Sequence, residues 1–216
     1  EPSTGRYCLR NWTGEQIASA SLHSHLQLHR LAKAKRKPEI TLVLDLDETL
    51  VFTSTESSGL CDLIAEVAVS DRLRAPPLLY YVHKRPFLDK FLSIAVEWYQ
   101  LAVYTASRAE YASLVCDWLD PRGVLFGNRR FYRDACVEHE NGGLYLKDLG
   151  VVNGDLAKVC LIDNSPCSFL LCPDNAIPIP GWKTGPDRAL LQLLPFLDAL
   201  RYCSDVRSVL SLRRLV

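Results

Sequence analysis

The chain holds 216 residues, 48% of them hydrophobic and 23% charged, with 25 basic side chains balanced by 25 acidic ones. These values exclude the disordered and fibrous classes, and the length suffices to bury a full core without disulfides. No apolar run approaches the roughly 18 residues that span a bilayer, and nothing at the start reads as a signal peptide, so the chain reads as soluble. It opens at Glu1 and contains no methionine, which reads as a piece of a longer protein, with room for a membrane anchor outside it.

Charge divides unevenly. Residues 1 to 44 carry seven Lys/Arg against three acids, and the remainder carries 18 against 22. Residues 1–38 are therefore expected to form a basic N-terminal segment. Within it, "IASASLHSHLQLHRL" places Leu22, Leu26 and Leu31 at loosely helical spacing and is followed by the basic run "KAKRK". This predicts a short helix, either packed on the domain or lying on an anionic membrane surface. The eight cysteines show no C-x-x-C pairing and read as small core residues of a reducing compartment.

From residue 39 onward apolar runs alternate with helical patterns. "ITLVLDL" predicts a fully buried strand of the parallel kind. "LLYYVHKRP" predicts a second strand, after which Pro86 opens a helix whose Phe87, Phe91, Ile94, Ala95 and Trp98 follow a 3.6-residue period. "LAVYTAS" is a further buried strand and "RAEYASLVCDWL" a helix. "AKVCLIDNSP" and "NAIPIPG" give two more strands, and "PDRALLQLLPFLDALRYC" a closing helix with a kink expected at Pro195. Alternation of this kind specifies an α/β domain over residues 39–216 with a central parallel sheet flanked by helices.

Ligands of open parallel sheets bind at the carboxyl ends of the strands. Three predicted strands end there in reactive groups: Asp45 and Asp47, Thr105 and Ser107, Asp163 and Asn164. If the strands are neighbours, these groups converge. Two close carboxylates cannot both ionise cheaply without a cation. A divalent ion at Asp45 and Asp163 would leave Asp47 free as a proton donor, and magnesium suits few carboxylates with several waters. The set suits phosphoryl transfer, with Asp45 as nucleophile, Asp47 as acid and base, and Thr49, Thr105 and Lys147 as the donors at hand for phosphate. Arg133 in "FYRDAC" is a candidate for gripping substrate phosphate or a neighbouring acid, with an ordinary surface arginine as the other reading.

The order of "DLDET", "YTAS", "LKDLG" and "LIDNSP" resembles the haloacid dehalogenase superfamily, in particular its DxDx(T/V) C-terminal-domain phosphatases. "VHKRPFLDKFL", "RRFYRDACV", "DNAIPIPGW" and "LLPFLDALRYCSDVRSVL" are similar to the Dullard-type nuclear envelope phosphatases. The resemblance implies a Rossmann-like haloacid dehalogenase fold without a large cap domain, since the intervals 51–79 and 108–146 are too short for one. It implies Asp45 as nucleophile, Asp47 as general acid/base, and Thr49, Thr105 and Lys147 at the phosphate. It also implies a Mg2+ site of Asp45, the Asp47 backbone carbonyl, Asp163 and Asn164. An open cleft favours a phosphoprotein over a metabolite.

The Dullard-type resemblance narrows this to serine/threonine dephosphorylation of lipin-type phosphatidate phosphatase. The setting would be the nuclear envelope and endoplasmic reticulum membrane, on the cytoplasmic or nucleoplasmic face. A small membrane regulatory subunit is the expected partner, with no direct nucleic-acid contact. The competing readings are an RNA polymerase II C-terminal-domain phosphatase and a non-catalytic binding protein of the mitochondrial import type. There is no G-x-x-x-x-G-K run and no G-x-G-x-x-G after a strand to suggest a nucleotide-binding module.

Overall fold

The computed structural model describes residues 38–57, 59–68, 76–140 and 142–212. The expected N-terminal helix and its basic run therefore lie outside the described residues. Residues 38–216 form one compact unit.

The centre is a five-stranded sheet in the order β10-β9-β1-β5-β6, comprising β1 (Thr41–Leu44), β5 (Gln100–Tyr104), β6 (Arg130–Phe131), β9 (Val159–Asp163) and β10 (Ala176–Pro178). Every pairing in it is parallel. β1 lies in the middle and all four of its side chains are buried, as its unbroken apolar run requires. Successive residues of a strand point to opposite faces, so β1 feeds two cores. Leu42 and Leu44 join Leu101, Val103, Cys160 and Ile162 in one, and Val43 joins Ala102, Tyr104, Val159 and Leu161 in the other.

The first core is closed by α1 (Leu88–Trp98), α2 (Ala109–Leu119), α3 (Ala189–Leu200) and α4 (Arg207–Leu210), all of which contribute buried residues to it. The second is smaller and is covered by short 3-10 turns through Leu149, Leu156, Phe169 and Cys172. The helices thus share one face of the sheet, a distribution that hydrophobic periodicity does not encode.

Two expectations change. "LLYYVHK" does form a strand, β4 (Leu78–Lys84), but it lies outside the parallel sheet. It pairs antiparallel with β2 (Val51–Ser54) and β3 (Leu63–Val67) in a separate three-stranded sheet. Pro86 sits in a turn, not at the start of a helix. Phe87 adopts a left-handed conformation with φ 66° and α1 begins at Leu88. The rotation puts Leu88, Phe91, Leu92 and Ala95 inward and leaves Phe87 47% exposed. Pro195 lies inside α3. A further antiparallel pair, β7 (Val137–Glu138) with β8 (Tyr145–Leu146), leads directly into Lys147.

The interval between the first motif and β4 is thus filled by one small sheet, and no independent cap appears among the described residues. Phe91 is fully buried where α1 meets the main core. Phe91→Ala is expected to cost about 3–5 kcal/mol of stability by leaving a cavity, read as a lowered urea midpoint with an unchanged slope.

Candidate active site

Register brings the acids together. Leu44 stands level with both Val103 and Ile162, so the next residues of the flanking strands lie side by side at their carboxyl ends. The Asp45 N–H still donates to the Ile162 carbonyl at 3.0 Å, which continues the ladder one residue past β1. Neighbouring strands lie about 4.8 Å apart, which sets the spacing of Asp45 and Asp163.

Between them sits Lys147. Its Nζ donates to Asp45 Oδ1 at 2.6 Å and to Asp163 Oδ2 at 2.6 Å, and the side chain is 1% exposed. The Tyr104 ring lies 5.9 Å from the same ammonium. Burial alone would push the Lys147 pKa down, but the two carboxylates outweigh it and hold the lysine above its ordinary value. Burial and the nearby Asp45 charge push the Asp163 pKa up, to about 6. Lys147 and the Ser165 N–H, which donates to Asp163 Oδ1 at 2.8 Å, oppose that rise.

Asp47 is separated from this trio. The chain leaves β1, buries Leu46, and turns at Glu48, which has φ 61°. The Glu48 N–H closes the turn on the Val51 carbonyl at 2.7 Å. Asp47 Oδ2 accepts from Ser107 Oγ at 2.7 Å and Oδ1 accepts from the Tyr111 hydroxyl at 2.9 Å. The Tyr111 hydroxyl is also in hydrogen-bond contact with Thr53 Oγ1 on β2. Burial, and more weakly the Asp45 charge, raise the Asp47 pKa above its ordinary value against the lowering by Ser107, Tyr111 and Lys147. Two acids two residues apart therefore sit in different surroundings, Asp45 hydrogen-bonded to an ammonium and Asp47, its pKa raised chiefly by burial, between two hydroxyls.

The remaining sequence-predicted residues take distinct places. Thr49 is fully buried and donates from Oγ1 to Asn164 Oδ1 at 3.1 Å. Thr105 is buried and its Oγ1 accepts from the Ser107 N–H at 3.1 Å. Arg133 donates from Nε to the Ala106 carbonyl at 2.7 Å and stacks over Tyr145 at 4.7 Å. It lines a cleft of about 860 Å³ that also meets Asp47, Ser107, Tyr111 and, on the three-stranded sheet, Phe52 and Tyr80. The cleft thus opens on the Asp47 side of the site.

The donor set fits a hard divalent cation. Asp45 and Asp163 converge on the single Lys147 ammonium, and Asn164, next in chain to Asp163, carries a further oxygen, Oδ1, held by Thr49. Few carboxylates with oxygen ligands of this kind are what Mg2+ takes.

Residues 40–207 match the NLI interacting factor-like phosphatase family. The chain belongs to this family. It is 47% identical over 193 residues to the CTD nuclear envelope phosphatase 1 of Xenopus tropicalis, covering 85% of this chain and 75% of that protein. It is 42% identical over 185 residues to the nuclear envelope morphology protein 1 of Saccharomyces cerevisiae, covering 80% of this chain and 41% of that one. Among solved structures, the fission yeast RNA polymerase II CTD phosphatase Fcp1 bound to beryllium fluoride superposes with a TM-score of 0.55 at 21% identity. That match covers 90% of this chain and 58% of the other. The fold is accordingly the haloacid dehalogenase type of this phosphatase family.

Two partners escaped the sequence reading. Tyr111 in the first turn of α2 and Ser107 just before that helix both donate to the Asp47 carboxylate, and Arg85 immediately precedes Pro86.

Two outcomes follow from this geometry. In metal-free buffer Lys147→Met is expected to lose about 3–5 kcal/mol, because two carboxylates remain buried without their cation; a divalent cation should restore part of it in a denaturant titration. Ser107→Ala removes a hydrogen bond that lowers the Asp47 pKa. If Asp47 delivers the proton, activity falls as pH rises through that pKa, so the alkaline limb of the rate profile should move to higher pH in the variant.

Proposed function

We propose that this family member is a magnesium-dependent protein serine/threonine phosphatase that works through an aspartyl-phosphate on Asp45. The observation that carries the reading is the division of labour between the two acids. Asp45 is hydrogen-bonded to the Lys147 ammonium within a buried cluster, while Asp47, on the cleft side, has its pKa raised chiefly by burial.

In the first step the Asp45 carboxylate attacks phosphorus and the bond to the substrate oxygen breaks. The departing oxygen takes the proton from Asp47. In the second step Asp47, now a carboxylate, takes a proton from water. That water attacks phosphorus, the Asp45–phosphate bond breaks, and inorganic phosphate leaves. Lys147 stays protonated throughout and faces the charge that develops on the phosphoryl oxygens. Thr49 and Thr105 stand at the phosphate, Thr49 by orienting Asn164, and Arg133 presents its guanidinium to substrate from the cleft wall. Magnesium, held by Asp45, the Asp47 carbonyl, Asp163 and Asn164, would supply further positive charge for the phosphoryl group.

The cleft supports a macromolecular substrate, because Asp47 and Arg133 line it and no cap among the described residues closes over it. The similarity to nuclear envelope phosphatases supports a lipin-type phosphatidate phosphatase as that substrate, at the nuclear envelope and endoplasmic reticulum membrane. It also supports a small membrane regulatory subunit as partner. Residues 1–38, by composition, would add contact with the membrane surface ahead of the catalytic domain at 39–216.

The test is phosphate release with and without magnesium from p-nitrophenyl phosphate, a phosphorylated lipin peptide and a phosphorylated polymerase-tail peptide. Turnover is expected to require magnesium, to vanish in Asp45→Asn, and to favour the lipin peptide. Asp47→Asn should lower kcat by roughly 10²- to 10⁴-fold. Preference for the tail peptide would transfer the assignment to the polymerase, and full activity of Asp45→Asn would remove the nucleophile. Equal liposome binding by the full chain and by residues 39–216 would remove the membrane role of the opening segment.

A further inference from the structure

Arg85 is the largest fully buried side chain of the described residues, at 1% exposure, and no step of the chemistry above uses it. It directly follows β4, and its N–H donates to the Leu50 carbonyl at 3.0 Å. The guanidinium then spends its donors on three separate segments. Nη1 donates to the carbonyls of Thr49 at 3.1 Å and Glu48 at 3.4 Å. Nη2 donates to the Pro180 carbonyl at 2.8 Å and to Asp187 Oδ2 at 3.0 Å, while Nε donates to Asp187 Oδ1 at 2.9 Å. Asp187 in turn accepts from the Ala189 N–H at 2.9 Å, which seats the start of α3. The Arg85 hydrogen bonds hold the Asp187 carboxyl below its ordinary range.

The place of these contacts matters more than their number. Glu48 is in the left-handed region with φ 61°, a conformation that costs a non-glycine residue about 1 kcal/mol or more and persists only where its surroundings enforce it. The enforcement comes from outside the turn. The Glu48 carbonyl accepts from Arg85 and also from the Trp182 N–H at 2.8 Å, and Gly181 packs so closely that a Cβ there would stand 3.0 Å from Glu48 Oε2 and 3.2 Å from Asn164 Nδ2. That one turn aims Asp47 toward Ser107 and Tyr111 on one side and Thr49 toward Asn164 on the other.

We propose that Arg85, braced by Asp187, is a positioning residue that clamps the Asp47–Glu48–Thr49 turn in its strained shape and so fixes the proton donor and Asn164 relative to the nucleophile. The catalytic part of this proposal rests on the phosphatase reading above; the clamp itself does not. A planar fork with five donors is required, because a lysine in its place offers three donors on a single atom and cannot span Thr49, Pro180 and Asp187 at once.

The experiment compares wild type, Arg85→Lys and Asp187→Asn in the full chain, by amide hydrogen exchange and by p-nitrophenyl phosphate kinetics in magnesium, normalised to folded protein. Exchange at Glu48, Leu50 and Val51 is expected to quicken by about tenfold or more in Arg85→Lys and less in Asp187→Asn, while Val43 and Leu44 in β1 stay protected. kcat should fall by about 10- to 100-fold in Arg85→Lys and severalfold in Asp187→Asn, with KM within about twofold, as expected of a group misplaced by a fraction of an ångström. Uniform loosening of turn and sheet, or an unchanged turn, would overturn the clamp, and a loosened turn with unchanged kcat would overturn its catalytic role. Should Arg85→Lys fail to fold, Asp187→Asn decides both arms on the same criteria. Wild type that turns over no substrate would remove the phosphatase reading, and the exchange arm alone would then decide the clamp.

Discussion

The site depends on one buried ammonium. Lys147 lies where burial would strip its charge, and two carboxylates at 2.6 Å outweigh that tendency. Neither acid could stand there alone at tolerable cost, since an unpaired buried carboxylate is worth several kcal/mol of instability. The central sheet supplies the geometry: parallel pairing levels β1 with β9, and the first residue past one strand faces the last residue of the other. The lysine arrives from the far side of the chain, on the short pair of strands β7 and β8. The candidate site is thus an electrostatic closure of the fold.

That closure explains how two acids with almost the same address in sequence acquire different characters. An extended strand would have turned Asp45 and Asp47 the same way and made them rivals for one cation. The chain instead leaves the sheet after Leu44, buries Leu46 as an anchor, and turns at Glu48. Asp45 keeps company with an ammonium, and Asp47 with two hydroxyls that can accommodate it in either protonation state. Backbone geometry, not residue type, separates the roles.

The sequence carried most of the first arrangement and little of the second. β1, β5 and β9 were legible because strands buried on both faces read as unbroken apolar runs, and the polar groups at their ends declared where the ligand end lay. β4 was legible as a strand but not as a member of another sheet, since "LLYYVHK" contains nothing that names its partners. β2 and β3 are short and half-exposed, with none of the continuous hydrophobicity that made the central strands visible. Pro86 misled because its fixed φ suits a helix start, while the structure uses it one turn earlier and lets Phe87 take the strained position. Arg85 was invisible in a different sense. A lone arginine in sequence is nearly always a surface charge, and only the fold reveals that three other segments meet around this one.

The three-stranded sheet touches the chemistry at few points, and this permits a separation of specificity from catalysis. Its face toward the cleft offers Phe52, Val67, Leu78 and Tyr80 to whatever lies there. Its hydrogen bonds toward the acids run through Thr53, by way of Tyr111, and the end of β4 reaches the catalytic turn through Arg85. Side chains elsewhere on that wall can change shape and polarity without moving Asp45 and Asp163, which are fixed by the parallel sheet, or Lys147, which β7 and β8 bring to them. Thr53 and Arg85 are different: each transmits a displacement of the wall directly to an acid or to the turn that carries it. A displacement of that wall would therefore reach Asp47 before it reaches Asp45.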